Sequence, residues 1–483
     1  MFISLYTSRV VLDKLGIEDF GINNVVAGFV TMLAFFSSSL SNVTQRFLNI
    51  ELGRGDIKRA REVFNQHQVL YCIIIAIVVI LAETAGLWFV KNKLVIPSER
   101  IGAAIWAYHF AVISLSFTLF GIVYNAAIIA HEQMKIYSVV GIAEGILKLL
   151  IALILSSVHS DRLIVYSFLL MMVVALTQLF YAGFCHVKYK ECRFLRYWDK
   201  TTVASTFSFI GWNFVGTLIY MLKGQGLNVL LNMYFGPVVN AARAVTSQVN
   251  GAISNFNANF FKSVQPQIVK SYAIKDMDRV KSLFFSSTKY SLFILWILDL
   301  PIALNISFLL GIWLKEVPDY TEIFTILVLT DSLLSTLTDV PWVITMASGK
   351  LKKYVLWSNS ILLLIFPLAF IVLELGASPV APLVVVIGVR ILQIISVLRI
   401  VNGQIHYGIG DYINNVIKPF LYVVGISLPL CYFVKFLLGD AIFLSFLALA
   451  IMIIVVALSM YSVGINKQER QFVNNILTKF TKR

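Results

Sequence analysis

Among the basic residues within otherwise apolar stretches of this sequence, four are candidates for chemistry: Arg9, Arg46, Lys223 and Arg243. A charge inside a bilayer is costly, so it normally faces a partner or a water-filled cavity. Arg46, Lys223 and Arg243 have no acidic residue three or four positions away, where a helix would pair them. Because a guanidinium binds two phosphate oxygens at once, these four residues are candidates for binding an anionic headgroup. The alternative is that each pairs with an acid on a neighbouring helix.

Two of the apolar stretches carry an unusual density of amides and hydroxyls, one just before residue 49 and one within 237–261. Polar faces at membrane depth must line water or contact polar partners. Amides along a cavity suit the passage of sugar hydroxyls, and interhelical hydrogen bonding is the alternative. The candidate residues for lining a sugar path are Asn42, Gln45, Gln248, Asn250, Asn255 and Asn257.

Acidic residues within the apolar stretches are candidates for a different role. Asp331 and Asp339 share one late span, which makes them candidates for ion coupling. Glu144 and Lys148 stand four residues apart, a spacing that predicts a local ion pair on one helix. The four cysteines show no zinc-site spacing, and we expect neither a metal site nor a cofactor.

The elements that carry these residues follow from composition. The chain has 483 residues, is 59% hydrophobic and 13% charged, and has a mean hydropathy of +0.83. Soluble cores stop growing at roughly 250–300 residues, whereas each bilayer helix needs about 20 apolar residues. The apolar stretches predict an all-α polytopic membrane protein of about 14 transmembrane helices. The first, residues 1–12, is short, because twelve residues rise only about 18 Å.

Basic residues are concentrated in alternate connections between these stretches, for example Lys58 and Arg59, Lys188 and Lys190, and Lys352. This asymmetry predicts that both termini are cytoplasmic. It also accounts for the net charge of +14 by proximity to anionic membrane lipids, so no nucleic-acid partner is expected.

The sequence also contains an internal repeat at an offset of 220 residues. Both copies run from a glycine, through a polar span, into a charged loop that starts another span. The matched pairs are Gly16 with Gly236, Val25 with Val245, Gln45 with Gln265, Asp56 with Asp276, Arg59 with Arg279 and Phe64 with Phe284.

Such a repeat predicts two parallel-related lobes of six helices around a central cavity. The lobes are expected at 1–185 and 201–401, joined by a basic cytoplasmic linker at 186–200. Two additional transmembrane helices at 402–464 and a basic cytoplasmic tail at 465–483 complete the predicted organisation.

Residues 6–21 (YTSRVVLDKLGIEDFG) and 44–56 (TQRFLNIELGRGD) resemble the O-antigen and capsule flippases. These form the polysaccharide-transport branch of the multidrug/oligosaccharidyl-lipid/polysaccharide exporter superfamily. The resemblance implies a two-lobed bundle in the bacterial inner membrane that works by alternating access. Its implied substrate is an undecaprenyl-diphosphate-linked oligosaccharide, moved to the periplasmic leaflet for O-antigen (lipopolysaccharide), capsule or exopolysaccharide biosynthesis.

The same resemblance gives roles to particular residues and partners. Arg9, Arg46 and Arg243 match positions that contact the diphosphate in related lipid flippases, and Lys223 matches less closely. Membrane lipids, and polysaccharide polymerase or chain-length proteins, are the implied partners.

Two other function classes compete with a flippase. A cation-coupled multidrug antiporter of the same superfamily would place acids in its lobe cavities, whereas arginines occupy the early spans here. A membrane enzyme is not expected, because no DxD, HExxH or GxSxG motif stands out in the sequence and no connection is long.

Overall fold

The structure is a computed structural model. It describes residues 2–33, 44–45, 47–48, 51–52, 54–131, 133–157, 160–195, 197, 199, 219, 221–348, 350–439, 442–466 and 469–471. No strand occurs in these ranges, and helices fill most of them.

Fourteen helices are described along the chain. In chain order they are α1 (Phe2–Leu33), α2 (Ile57–Asn92), α3 (Ser98–Ala130), α4 (Lys135–Ser157), α5 (Arg162–Lys188), α6 (Leu227–Phe235), α7 (Pro237–Ala273), α8 (Met277–Leu304), α9 (Ile306–Trp313), α10 (Thr321–Ser348), α11 (Tyr354–Glu374), α12 (Ala381–Ile405), α13 (Ile409–Leu438) and α14 (Ile442–Gly464). Among them, ten are long and apolar enough to cross a membrane: α2–α5, α8 and α10–α14. The predicted all-α polytopic membrane fold is confirmed.

Several of these helices expose large apolar side chains, which a water-soluble protein would bury. On α13 and α14, Phe436 and Phe443 are each 78% exposed, and on α4 most of the apolar face is open. A helix that is apolar all round suits a lipid environment, where backbone groups must bond within the helix. The protein is therefore a multi-pass membrane protein.

The matched positions of the repeat have the same local structure. Gly16 interrupts α1 with a φ of 83°, and Gly236 separates α6 from α7 with a φ of 77°. Positive φ is unfavourable for residues with a Cβ, so glycine is favoured at both breaks. Further along, Phe64 and Phe284 are both fully buried.

The repeat extends to the capping of two helices. Asp56 precedes α2, and its Oδ1 accepts a hydrogen bond of 2.9 Å from the backbone N–H of Arg59. Asp276 precedes α8 and accepts from the N–H of Arg279 at 3.0 Å. A side-chain cap satisfies a backbone donor that the first helical turn leaves free, which explains why aspartate stands at both positions.

The chain divides into two compact units. Unit 1 comprises Met1–Val245, Leu314–Asp319 and Ile365–Pro382. Its core lies mainly between α1, α2, α3 and α5, where Tyr71, Tyr108 and Leu163 are almost fully buried. Small residues allow α3 and α5 to pack closely, with Ala104 and Ala126 also fully buried.

Unit 2 comprises Thr246–Trp313, Tyr320–Leu364 and Leu383–Arg483. Its largest apolar cluster lies between α8, α10 and the end of α12, where Phe284, Val340 and Val401 are fully buried. A second, smaller cluster joins α8 to α13 and α14 through Leu300, Cys431 and Met452. The predicted lobe limits at 1–185 and 201–401 stay predictions.

Arg100, at the start of α3, connects α1 and the start of α5 within unit 1 through two carboxylates. Its guanidinium donates to both carboxylate oxygens of Asp19 at 2.7 and 2.6 Å, and to both of Asp161 at 2.6 and 3.1 Å. Asp161 also caps α5 by accepting from the N–H groups of Leu163 and Ile164. Burial alone would raise the pKa of Asp161, but the hydrogen bonds from Arg100 and the helix start outweigh it and lower the pKa below its ordinary value.

Substituting Arg100 by Gln should destabilise the protein by about 2 kcal/mol, because charged hydrogen bonds to two carboxylates are lost. A carboxylate with a lowered pKa stabilises the fold above its ordinary pKa of about 3.9, and that contribution disappears as the pH falls through the lowered value. The difference in unfolding temperature between wild type and R100Q should therefore shrink below about pH 4. The matched control is R162Q. The guanidinium of Arg162 donates to the backbone oxygen of Lys14 at 3.1 Å and forms no ion pair among the described residues. If the difference in unfolding temperature between wild type and R100Q stayed constant from pH 7 to pH 3, this account would be contradicted.

Candidate functional site

Arg243 is the predicted cation whose surroundings the structure defines best. It lies in the first part of α7, within unit 1, and is only 8% exposed. Its Nε donates to Asn228 Oδ1 on α6 at 3.1 Å. Because α6 and α7 are joined only by Gly236, the two helices fold back on each other and bring these residues together.

A network of buried amides holds this arrangement. Asn240 Nδ2 donates to the backbone oxygen of Asn228 at 2.8 Å, and Asn232 Nδ2 donates to Asn240 Oδ1 at 2.9 Å. Asn232 is in turn fixed by Val95, whose N–H donates to Asn232 Oδ1 at 2.9 Å. Buried polar groups that are satisfied in this way rigidify their site, so the guanidinium of Arg243 has a defined position.

Lys223 lies on an element connected to Arg243. It is half-buried in a π-helical turn, Leu222–Gly226, directly before α6. Gln225 of the same turn accepts a hydrogen bond of 3.0 Å from Asn228, the residue that binds Arg243. Turns of this kind are frequent at functional sites. Lys223 and Arg243 are thus linked through Gln225 and Asn228.

Arg9 is half-buried in α1, before the break at Gly16. Asp13 stands one helical turn further on, but its carboxylate contacts Lys315 at 2.8 Å and Lys14 at 3.2 Å instead. In the part of the chain that the structure describes, no carboxylate forms an ion pair with Arg9. Arg46, predicted for the same role, lies outside the described residues.

The predicted sugar-path residues have different environments. Asn42 lies outside the described residues, and Gln45 is half-buried. On α7, Asn255 is exposed and Asn250 accepts a hydrogen bond of 3.3 Å from Ser254. Gln248 Oε1 is buried and has no hydrogen-bond partner among the described residues.

Part of the polar face of α7 bonds to α10 within unit 2. The hydroxyls of Thr246 and Thr325 are 3.3 Å apart, as are those of Ser254 and Ser332. Asn257 Nδ2 donates to Asp339 Oδ2 at 3.3 Å. These contacts lie three to eight residues apart along α7, so part of its polar face takes part in interhelical hydrogen bonding. Asn257 Oδ1 stays buried without a partner in the described part of the chain.

The two predicted coupling acids also differ. Arg390 on α12 donates to both carboxylate oxygens of Asp331, at 2.8 and 3.3 Å. Arg390 also donates to Gln393 Oε1 at 2.7 Å, and Gln393 donates to Ser358 at 3.2 Å. Asp331 is therefore neutralised inside unit 2, whereas the hydrogen bond described for the Asp339 carboxylate comes from the amide of Asn257.

Other charges in the apolar stretches have local or long-range partners. Lys148 donates to Glu144 at 2.6 Å, so the local ion pair predicted from their spacing is confirmed. Lys289 on α8 is buried and donates to both oxygens of Glu469 at 2.7 Å.

Sequence reasoning also missed the environment of Asp299 on α8. This residue is 5% exposed, and neither carboxylate oxygen has a hydrogen-bond partner among the described residues. The signal available in the sequence was an aspartate two residues before a proline within an apolar span.

No protein-family model matches the chain, and no curated protein matches its sequence. Solved structures do match its fold. The inward-facing conformation of a multidrug resistance MATE family transporter of the MOP superfamily superimposes with a TM-score of 0.69 at 14% identity, covering 84% of this chain and 95% of that one. The lipid II flippase MurJ in its inward closed conformation gives a TM-score of 0.68 at 12% identity, covering 95% of this chain and 97% of that one.

A MATE structure in its bent conformation gives a TM-score of 0.54 at 11% identity and covers 84% of this chain and 98% of that one. These neighbours are transporters and a flippase rather than enzymes. The chain therefore has the fold shared by the MATE transporters of the MOP superfamily and the lipid II flippase MurJ.

Proposed function

We propose that the protein is a flippase that moves an undecaprenyl-diphosphate-linked oligosaccharide from the cytoplasmic to the periplasmic leaflet of the bacterial inner membrane by alternating access. The observation that carries the proposal is Arg243, a buried guanidinium held by a network of amides within the apolar part of the protein. A fixed cation in a low-dielectric site attracts an anionic headgroup more strongly than the same charge in water.

The other predicted residues have defined parts in this proposal. Arg243, Lys223 and Arg9, together with Arg46, bind the diphosphate while the prenyl tail stays in lipid. The sugar path is lined by Asn42, Gln45, Gln248, Asn250, Asn255 and Asn257. Gln248 is the member best suited to a substrate hydroxyl, because its buried Oε1 has no hydrogen-bond partner among the described residues. Both termini are cytoplasmic, and a polymerase or chain-length protein receives the product.

The extent of the structural matches supports a lipid-linked substrate. The MurJ match covers 95% of this chain, whereas the MATE matches cover 84%. The rival function is a cation-coupled multidrug antiporter, which needs acids that are free to bind a cation. Asp331 is paired with Arg390, so of the two predicted acids Asp339 is the remaining candidate for ion coupling in either function.

The decisive experiment is reconstitution in liposomes with a fluorescent undecaprenyl-diphosphate oligosaccharide, scoring its appearance on the opposite leaflet. R243Q should reduce the initial rate at least about tenfold, since a charged hydrogen bond contributes about 1.5–3 kcal/mol. R243K should retain part of the activity, because it keeps the charge and loses the planar fork.

R279Q is the matched control, because Arg279 is exposed and R279Q changes the net charge by the same amount as R243Q. Size-exclusion profiles and unfolding temperatures verify that each variant is folded. Full activity of R9Q, K223Q and R243Q would overturn the cationic site. Absence of transfer by wild type, together with gradient-driven efflux of organic cations, would establish the antiporter instead.

A further inference from the structure

Unit 2 contains a groove with a volume of about 1120 Å³ between the start of α11 and the last turns of α12. Four basic residues lie along one end of it: Lys350, Lys352, Lys353 and Arg399. All four are exposed, and no acidic residue lines the groove. Within the described ranges, no carboxylate forms an ion pair with Lys350, Lys353 or Arg399. Lys350, Lys353 and Arg399 therefore place positive charge at this end of the groove that no described carboxylate neutralises.

The rest of the groove is apolar. Trp357, Ile361 and Leu364 line it from α11, and Leu392 and Ile395 line it from α12. Trp357 is 69% exposed and Leu392 52% exposed, so this wall is open to the surroundings of the protein.

The groove has the length of one membrane leaflet. Leu364 lies eleven positions after Lys353, which corresponds to a rise of about 16 Å along a helix. Half of a hydrocarbon core is about 15 Å thick. The basic end therefore corresponds to the headgroup level and the apolar end to the acyl chains.

We propose that this groove is a binding site for an anionic glycerophospholipid, separate from the transported substrate. The phosphate lies among Lys350, Lys353 and Arg399, and one acyl chain lies against Trp357 and Leu364. Basic pockets between transmembrane helices suit such headgroups, and each basic residue at the membrane surface strengthens the attraction. The bound lipid neutralises the basic end and holds α11 and α12 together on their open side. This site does not depend on the proposed flippase function.

The test is native mass spectrometry of the purified full chain in detergent, titrated with phosphatidylglycerol or with phosphatidylcholine of the same acyl chains. Wild type should bind phosphatidylglycerol at least about tenfold more tightly than phosphatidylcholine. K353Q/R399Q should lose that preference. The matched control is K58Q/K190Q, which removes two exposed basic residues from unit 1 and should keep it.

Fluorescence provides a second measurement that does not depend on the charge variants. Phosphatidylglycerol with brominated acyl chains should quench part of the tryptophan emission of wild type, and W357F should lose that part. Equal binding by wild type and K353Q/R399Q, or quenching unchanged in W357F, would overturn the site.

Competition experiments identify the ligand. Phosphatidylglycerol binding that inorganic phosphate abolishes at millimolar concentration would show a headgroup-only anion site and overturn the lipid assignment. Displacement of phosphatidylglycerol by undecaprenyl-diphosphate oligosaccharide, and not by other anionic phospholipids, would identify the groove as part of the substrate path and would also overturn it.

Discussion

Asp331→Asn should lower the free energy of unfolding by about 3–5 kcal/mol, the usual cost of removing one partner of a buried ion pair. Arg390 has a side chain that is only 4% exposed, and Asp331 holds it through hydrogen bonds of 2.8 and 3.3 Å. Without that carboxylate, the guanidinium keeps its charge, because arginine is not deprotonated in proteins. A hydrogen bond to a neutral amide, such as that to Gln393, does not compensate a full charge.

Thermal and denaturant unfolding in detergent measure this effect. The matched control is D278N, because Asp278 is 99% exposed and lies 3.7 Å from Lys281 on the surface. Exposed pairs contribute at most about 1 kcal/mol, so D278N should unfold like wild type. The double variant D331N/R390Q should recover most of the stability, since both charges are then absent. Equal free energies of unfolding for D331N and D278N would contradict the prediction.

Gly21→Ala should destabilise unit 1 by more than about 2 kcal/mol through forced overpacking. A Cβ at this position would lie 1.9 Å from the backbone oxygen of Pro237 and 2.7 Å from its carbonyl carbon. A backbone cannot rotate away as a side chain can, so α1 and the start of α7 must separate. That movement would also disturb Arg243, which lies less than two turns further along α7.

Gly141→Ala is the control, because a Cβ there meets nothing within 4 Å. In a helix interior, alanine is favoured over glycine by about 0.5–1 kcal/mol, so G141A should be neutral or slightly stabilising. Relative to wild type, G21A should therefore unfold at a much lower temperature, whereas G141A should unfold at the same or a slightly higher temperature. Similar unfolding temperatures for G21A and G141A would show that α1 does not approach Pro237 this closely.

The sequence by itself determined the features that depend on neighbouring residues along one helix. Apolar stretches of spanning length predicted the membrane helices, because lipid leaves the backbone no other partner than itself. Glu144 and Lys148 paired as their spacing requires. Gly16 and Gly236 were matched by the repeat, and both interrupt a helix with a positive φ, which favours glycine.

Only the tertiary structure decided which polar residues meet across helices. Asp331 and Arg390 are 59 positions apart, and Arg100 contacts Asp19 and Asp161 from 81 and 61 positions away. Asp13 stands one turn from Arg9 yet pairs with Lys315. Which residues pair across helices depends on the rotation and the register of the packed helices. The sequence of an apolar stretch that faces lipid on several sides determines neither its rotation nor its register. The partners of these charges were therefore decided by packing, whereas the presence of the charges was readable from the sequence.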